Sequence, residues 1–431
     1  MTFSRSIAAL ARRAPTFAAF AIAASLAVGM VPPITADSGS GKDEGNDDLV
    51  EDRYRDDQAI VRLNQGFTVE DLANDDVVVL GTIENRNIFL LSLSESERED
   101  ELIEELEDDN LGAIAWAELN FGQQAPEGRP RRFFVSGQPP KKQSARSYAP
   151  TLLGIAAAQA CADGSGIIVA VIDTGIDASH PAFAGRLTDQ GTWRNFLGEQ
   201  SGPDVTDVRD IGDRRDNDKD GLRDEMRGHG THVAGIVLQA APDAKILPIK
   251  ALNSDGIGDA FYLAEAIYYA VDQGAQVINL SLGSVDEPRV VAEAIDEALG
   301  QGVIVTAAAG NTGQATPEYP ASHIGVLSVA ATNANDQKSD FSNYGATVRI
   351  SAPGTKIVSA FPGGGRRAWS GTSMAAPWVA GTAALLLSDG QSASAALVAI
   401  EGTAFDLGTT NPVKYTGQLG AGRVDAEAAA C

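Results

Sequence analysis

Several features that define whole protein classes are scarce in this 431-residue chain. Two cysteines, Cys161 and Cys431, are too few for a small fold held by a disulfide framework, and a fold of this length does not need one for its core. Four histidines with no thiolate cluster beside them leave little for a zinc centre. Basic residues are outnumbered, 33 Lys and Arg against 58 Asp and Glu, for a net charge of −25. No basic face is visible, and a phosphate backbone needs one, so a nucleic-acid partner is excluded. Past the first 30 residues no apolar run is long enough to span a bilayer.

What is present begins with an export signal. Arg5, Arg12 and Arg13 carry positive charge, and Phe17 to Met30 is an uncharged, Ala-rich run closed by Pro32 and Pro33. The run is short for a membrane span, and Ala36 before Asp37 offers a small residue for cleavage, so residues 1–36 are predicted to be a signal peptide. A retained N-terminal anchor is the alternative. With the signal removed, the protein is expected to be secreted, to a periplasm or the outside medium, as a monomer with no membrane contact. In such a compartment Cys161 and Cys431 permit one intramolecular bridge, the alternative being two free or intermolecular thiols.

Charge changes sign along the chain and marks the boundaries of units. Residues 37–125 hold 25 acidic and 6 basic residues, a net of −19, whereas 126–150 hold 1 and 6, a net of +5. Residues 37–57 are Gly, Ser and acid, a disordered lead-in. Residues 58–125 read as a small α+β domain: strands over 59–63, 88–93 and 113–117, a short helix from Val69 and a longer one over 99–107. Residues 126–150, with five prolines and six basic residues, read as an exposed linker. From 151 to 431 buried-type strands at 167–172, 245–252, 277–280, 303–309 and 326–331 alternate with helical stretches at 229–239, 259–273, 287–301 and 372–388. Strands apolar on both faces between helices imply α/β, a doubly wound, mostly parallel sheet with helices on both faces. Ligands bind such folds beyond the carboxyl ends of the strands.

Chemistry-bearing residues fall at those ends. Asp173 closes the first buried strand in Val169-Ala-Val-Ile-Asp-Thr-Gly-Ile-Asp177. His229 opens a helix in Gly228-His-Gly-Thr-His-Val-Ala-Gly235, and Ser373 opens another in Ser370-Gly-Thr-Ser-Met-Ala-Ala-Pro377. A serine hydroxyl is a weak nucleophile until a base takes its proton, and the base needs a carboxylate to fix its tautomer. The helix start at Ser373 presents backbone N–H groups to a developing oxyanion, and Asn311, in Ala307-Ala-Ala-Gly-Asn311, can add a side-chain N–H. Any one of these pieces has a structural reading as a turn residue, a helix cap or a loop. A rival reading makes His229 and His232 zinc ligands on one helix face.

Together the four blocks resemble those of the subtilisin-like serine proteases, in that family's order Asp, His, Ser, over residues 150–431. The resemblance implies a serine endopeptidase working through an acyl-enzyme, with Asp173 orienting, His229 as general base, Ser373 as nucleophile, Asn311 as oxyanion donor and no catalytic cofactor. It also implies that Ser281, Leu282, Gly283, Ala308 and Gly310 line the pocket for the side chain before the scissile bond. A polypeptide substrate would add as an extended strand along 281–283 and 256–258. By position, the 58–125 unit resembles the inhibitory propeptide of these enzymes, with 117–121 leading into the cleft. Trp378 departs from the family's usual His after Ala-x-Pro. An esterase or amidase with the same triad, and a binding protein on the same scaffold, are the competing functions.

Two further residue groups stand out. Asp216-Asn-Asp-Lys-Asp-Gly-Leu-Arg-Asp-Glu225 spaces oxygens as a calcium loop does, with Asp216, Asp218, Asp220, Leu222 (through its carbonyl) and Asp224 as ligands. Its twelfth position is Arg227, which leaves Glu225 as the candidate replacement; the alternative is a solvated acidic loop. Glu318, just before Tyr319-Pro320, falls by the resemblance near the floor of the specificity pocket. There its carboxylate either attracts Lys or Arg or turns out to solvent. Arg129, Arg131, Arg132, Lys141, Lys142 and Arg146 of the linker are matching targets for self-processing.

Overall fold

A computed structural model describes residues 54–72, 78–83, 85–92, 103–104, 106–108, 110, 112–126, 147–197, 205–219, 221–315 and 318–431. The signal, residues 37–53 of the lead-in, most of the basic linker with its six Lys and Arg, and Asp220 lie outside the described residues. Residues 54–57, expected to be disordered, are instead the start of a strand, because Tyr54 finds a backbone partner in Phe121.

The body is built on seven parallel strands: β5 Ile168–Asp173, β6 Arg194–Asn195, β7 Lys245–Lys250, β9 Val277–Leu280, β10 Ile304–Ala308, β11 Leu327–Thr332 and β12 Ile350–Pro353, in the order β12-β11-β10-β9-β5-β7-β6. β9 to β12 are buried along their whole length, and β5 and β7 at all but one residue, so their apolar runs are continuous rather than alternating. Helix His229–Ala240 packs with helix Thr372–Ser388, helix Ala260–Asp272 packs with helix Arg289–Gly300, and all four lie against the sheet. Helix Thr372–Ser388 is buried nearly all round, as a helix in the middle of a core must be. Trp378 sits on it with no exposed surface. Strand order reverses at β5, whose neighbours are β7 on one side and β9 on the other. That reversal opens the crevice where ligands bind.

Helices Ile155–Cys161 and Ala393–Gly402, strand β6 and three further strands of the body were not foreseen. β12, Ile-Ser-Ala-Pro, is too short and polar to read as a strand. A hairpin of β13 Ile357–Phe361 and β14 Gly365–Trp369, closed by the turn Pro362-Gly363-Gly364, leads through Ser370 and Gly371 into helix Thr372–Ser388. Cys161 and Cys431 are joined, tying helix Ile155–Cys161 to the end of the chain.

The N-terminal unit is antiparallel: β1 Tyr54–Leu63, β2 Val78–Ile83, β3 Ile88–Ser92 and β4 Ile114–Gln124, ordered β2-β3-β1-β4. It carries two apolar faces because successive side chains point to opposite sides. Ala59, Val61 and Leu63 pack with Leu91 and Leu106 on one face, while Ile60, Leu90 and Trp116 belong to the core of the body. β4 runs seven residues past the expected end at 117. Glu118, Leu119 and Phe121 still pair with β1, and the last three residues, Gly122 to Gln124, pair antiparallel with β8 Ile257–Asp259 of the body and make it the fifth strand of the sheet.

Candidate active site

Asp173 is the last residue of β5 and is fully buried. Its Oδ1 accepts the Thr174 N–H at 2.7 Å and lies 2.7 Å from Nδ1 of His229, itself fully buried at the first turn of its helix. The helix can come this close because Gly230 has no side chain: a Cβ there would stand 2.2 Å from the Gly175 carbonyl oxygen. The His229 ring also meets Trp369 edge to face at 5.5 Å. Trp369 ends β14, four residues before Ser373, so the hairpin carries the serine's helix towards the histidine. His232, one turn on from His229, has its Nε2 on the carbonyls of Ile357 and Arg367, both 3.1 Å away. It fastens the hairpin instead of sharing a zinc ion.

Ser373 Oγ donates to the Ser281 carbonyl at 3.2 Å, and Ser281 Oγ returns a bond to the Ser373 carbonyl at 3.0 Å. The serine's helix is thereby clamped to the segment after β9. Asn311 follows β10; its Oδ1 accepts Thr372 N–H and Thr372 Oγ1–H, both at 2.9 Å, which turns the amide nitrogen away from Thr372. Thr372 also accepts the Gly310 N–H at 3.2 Å, so the strand end and the helix start are locked to each other.

The groove beside these residues is filled by the chain itself. Gly122, Gln123 and Gln124 pair with Asp259, Gly258 and Ile257; on the other side Gln124 and Gly283 exchange backbone bonds of 2.9 and 3.3 Å. Ala125 N–H then donates to the Gly256 carbonyl at 2.8 Å. β4 thus ends as the central strand of three, between the segments 256–259 and 281–283, two residues from the carbonyl that holds Ser373.

Leu282 and Ala308 are fully buried, and the Gly283 and Gly310 segments face each other across Glu318. Glu318 is turned inward between these walls, 2% exposed, its Oε1 accepting Asn343 Nδ2 at 3.0 Å. A Cβ on Gly310 would fall 2.1 Å from the Glu318 carboxyl carbon, and one on Gly283 3.5 Å from Oε2. Glycine on both walls leaves the room this carboxylate occupies.

Among the acidic-loop residues, Asp216 and Asp218 converge with Asp255, oxygens within 4.8 Å of one another. Asp255 was missed because it lies thirty residues past the loop, beside β8. Asp224 accepts the Arg214 N–H at 3.1 and 3.2 Å and is not among the three converging carboxylates. Glu225 is partly buried and outside the three-carboxylate cluster.

A doubly wound parallel sheet with a buried Asp–His pair at one strand end and a serine at a helix start beside it is the architecture of a serine protease, and residues 164–409 match the subtilase family. The chain belongs to that family and is a serine-type endopeptidase. It is 38% identical over 288 residues to thermitase of Thermoactinomyces vulgaris, covering 64% of this chain and 95% of thermitase. Over 277 residues it is 37% identical to subtilisin BL of Lederbergia lenta, 62% of this chain and 91% of that enzyme. To a thermophilic serine proteinase of Bacillus sp. strain AK1 it is 40% identical over 262 residues, 58% of this chain and 60% of that protein.

Proposed function

We propose that this protein is a secreted endopeptidase that cuts extended polypeptide through an acyl-enzyme formed on Ser373. The observation that carries the reading is the strand slot: a stretch of the chain lies extended between 256–259 and 283, held by backbone bonds that any sequence can make. In the reaction, Ser373 Oγ attacks the carbonyl carbon and His229 takes its proton. Asp173 holds the imidazole in the tautomer with Nδ1–H, at the 2.7 Å spacing found here. Asn311 Nδ2 and the N–H groups at the helix start receive the oxyanion. Collapse of the tetrahedral species breaks the peptide bond, the proton passes from His229 to the leaving amine, and water then releases the acyl group. Ser281, Leu282, Gly283, Ala308, Gly310 and Glu318 form the pocket for the side chain before that bond. Turnover of casein together with fluorophosphonate labelling of Ser373 tests the assignment. An esterase would leave casein intact, and a binding protein would not be labelled.

The residue 58–125 unit acts as an intramolecular plug and is joined to the 151–431 enzyme by the 126–150 linker. Its support is the interface: Trp116 Nε1 donates to Glu293 at 2.9 Å, Arg86 bonds Asp272 and Glu297, and Asn120 accepts the Phe261 N–H. Glu118 caps helix Arg289–Gly300 from outside, accepting Arg289 N–H at 2.7 Å and Val290 N–H at 2.8 Å where Pro288 offers no side-chain cap. Burial pushes the Glu118 carboxyl up to about 7; the two N–H donors and Arg289 oppose this, and Glu293 adds to it. A carboxyl whose pKa is higher docked than free takes up a proton on docking. Its contribution is complete below the free value near 4.5 and is lost as pH rises through about 7. The self-cleaved complex should therefore release its N-terminal fragment as pH is raised from about 5 to 8.5, docking weakening by one to two orders of magnitude, and Glu118→Gln should flatten the profile. Gel filtration of the two species across pH checks this.

Export of the enzyme is supported by the Arg-flanked apolar run at the start of the sequence and by the Cys161–Cys431 bond, a kind that persists in oxidising compartments. Among the described residues no helix is long and apolar enough to cross a membrane.

A structural calcium ion fits the cluster of Asp216, Asp218 and Asp255. Its donors are all carboxylate oxygens, and Asp216 Oδ1 is buried without a hydrogen bond. Asp255 directly precedes Gly256, whose carbonyl holds the strand in the slot. Calcium at about 100 times its Kd should stabilise the enzyme by about 2.7 kcal/mol over chelated protein, and Asp216→Asn should remove the difference, read as the calcium-dependent shift in Tm.

A further inference from the structure

Behind the Asp173–His229 pair lies a second buried carboxylate that catalysis does not touch. Asp210, 2% exposed, stands on the segment before the acidic loop and faces the start of helix His229–Ala240. Its Oδ1 accepts Gly228 N–H at 2.8 Å and Thr174 Oγ1–H at 3.2 Å; its Oδ2 accepts Thr231 N–H at 3.1 Å and Thr231 Oγ1–H at 2.6 Å. Thr174 Oγ1 in turn accepts Gly230 N–H at 3.0 Å, and Thr231 Oγ1 accepts Asp177 N–H at 3.0 Å.

The helix needs such help. Its N-cap, Gly228, has no side chain, and its first N–H groups are buried where water cannot satisfy them. The donors that Asp210 gathers are also those that fix the reacting pair. Thr174 follows Asp173, whereas Gly228 and Thr231 bracket His229. One anion therefore holds both chain segments whose relative position sets the 2.7 Å contact. We propose that Asp210 is a positioning residue for the reaction, fixing His229 against Asp173 through Gly228, Thr231 and Thr174. This rests on the assignment of His229 as the general base.

Lys250 completes the arrangement. It ends β7, is 8% exposed, and its ammonium donates to the carbonyls of Thr174 and Leu252. Burial pulls its pKa down, and Asp210, Asp173, Asp207 and Asp213 oppose that, Asp210 most strongly. Burial raises the Asp210 carboxyl, against Lys250 and its own donors. Neutralising Asp210 removes an anion near His229 and leaves the Lys250 cation with its strongest counter-charge gone. Both changes disfavour the imidazolium and lower its pKa.

The experiment is Asp210→Asn in the full chain, with kcat counted per site titrated by a fluorophosphonate so that only folded enzyme enters. The expected result is a kcat lower by roughly tenfold or more with KM unchanged, and an acid limb of kcat/KM moved down by roughly 0.5 to 1 unit. Thr231→Val, which deletes one of the four donors to Asp210 along with the acceptor of Asp177 N–H, should lower kcat in the same sense by less, and it serves where Asp210→Asn yields no titratable enzyme. A lowered Tm with kcat per site and the acid limb both at wild-type values overturns the proposal, as does an unchanged kcat in Thr231→Val. If wild-type protein is not labelled at Ser373, the catalytic assignment itself fails.

Discussion

Replacing Ser373 by Ala is expected to lower casein turnover by several orders of magnitude and, in the same protein, to leave the N-terminal unit uncut from the body. The substitution deletes one oxygen from a residue that is fully buried at a helix start. The Asp173–His229 contact, the Asn311–Thr372 bonds and the strand slot all lie outside the change. The slot stays filled by Gly122 to Ala125 of the uncut chain, and no acyl-enzyme can form. The circular dichroism spectrum should match that of the wild type while turnover collapses, which separates a lost nucleophile from a damaged fold. Electrophoresis of the secreted protein reads the second effect. A single chain in Ser373→Ala, against two associated fragments in the wild type, shows the cut to be the enzyme's own. Fragments of wild-type size in the variant would mean that another protease makes it.

How much of this was legible in the sequence depends on the range of the interactions involved. β9 was read at its actual bounds, and β5, β7, β10 and β11 within two residues, because strands buried on both faces show unbroken apolar runs. Helix Thr372–Ser388 was read in full for the same reason. Asp173, His229, Ser373 and Asn311 stand out in the sequence because each sits at or just past an element end in a short block of small residues, where close approach of backbones restricts the choice. β4 was cut short, since its last residues are polar and become a strand only against Ile257–Asp259. Asp210, Asp255 and Trp369 were invisible: Asp210 is a single carboxylate in a loop, and what distinguishes it is four donors supplied by segments up to 36 residues away. Glu118 had no signal either. One acid in a unit crowded with acids gives no hint that it caps a helix 171 residues on.

The enzyme is expected to prefer Lys or Arg before the scissile bond, and Glu318→Gln is expected to cost that preference about 30-fold or more. The carboxylate does not turn out to solvent: at 2% exposure it lies between the Gly283 and Gly310 walls, steadied by Asn343. Asn343 is itself fixed, donating to the Ala309 carbonyl at 3.1 Å and accepting Thr312 N–H at 3.0 Å, so the carboxylate is carried on a rigid support. A long cationic side chain entering between the glycine walls meets an anion where little water remains. Deleting one partner of such a desolvated pair costs about 2 to 5 kcal/mol, and 1.4 kcal/mol is tenfold. An acidic side chain would meet repulsion in the same place. Gln keeps the shape and the Asn343 contact while removing the charge. A matched peptide series with Arg, Lys, Phe or Leu at that position, run on both proteins, isolates the effect in kcat/KM. Loss should be confined to Arg and Lys, with Phe and Leu unmoved. Should Phe or Leu lead in both proteins at the same ratio, Glu318 serves only to brace Asn343 and the two glycine walls, and substrate charge goes unread.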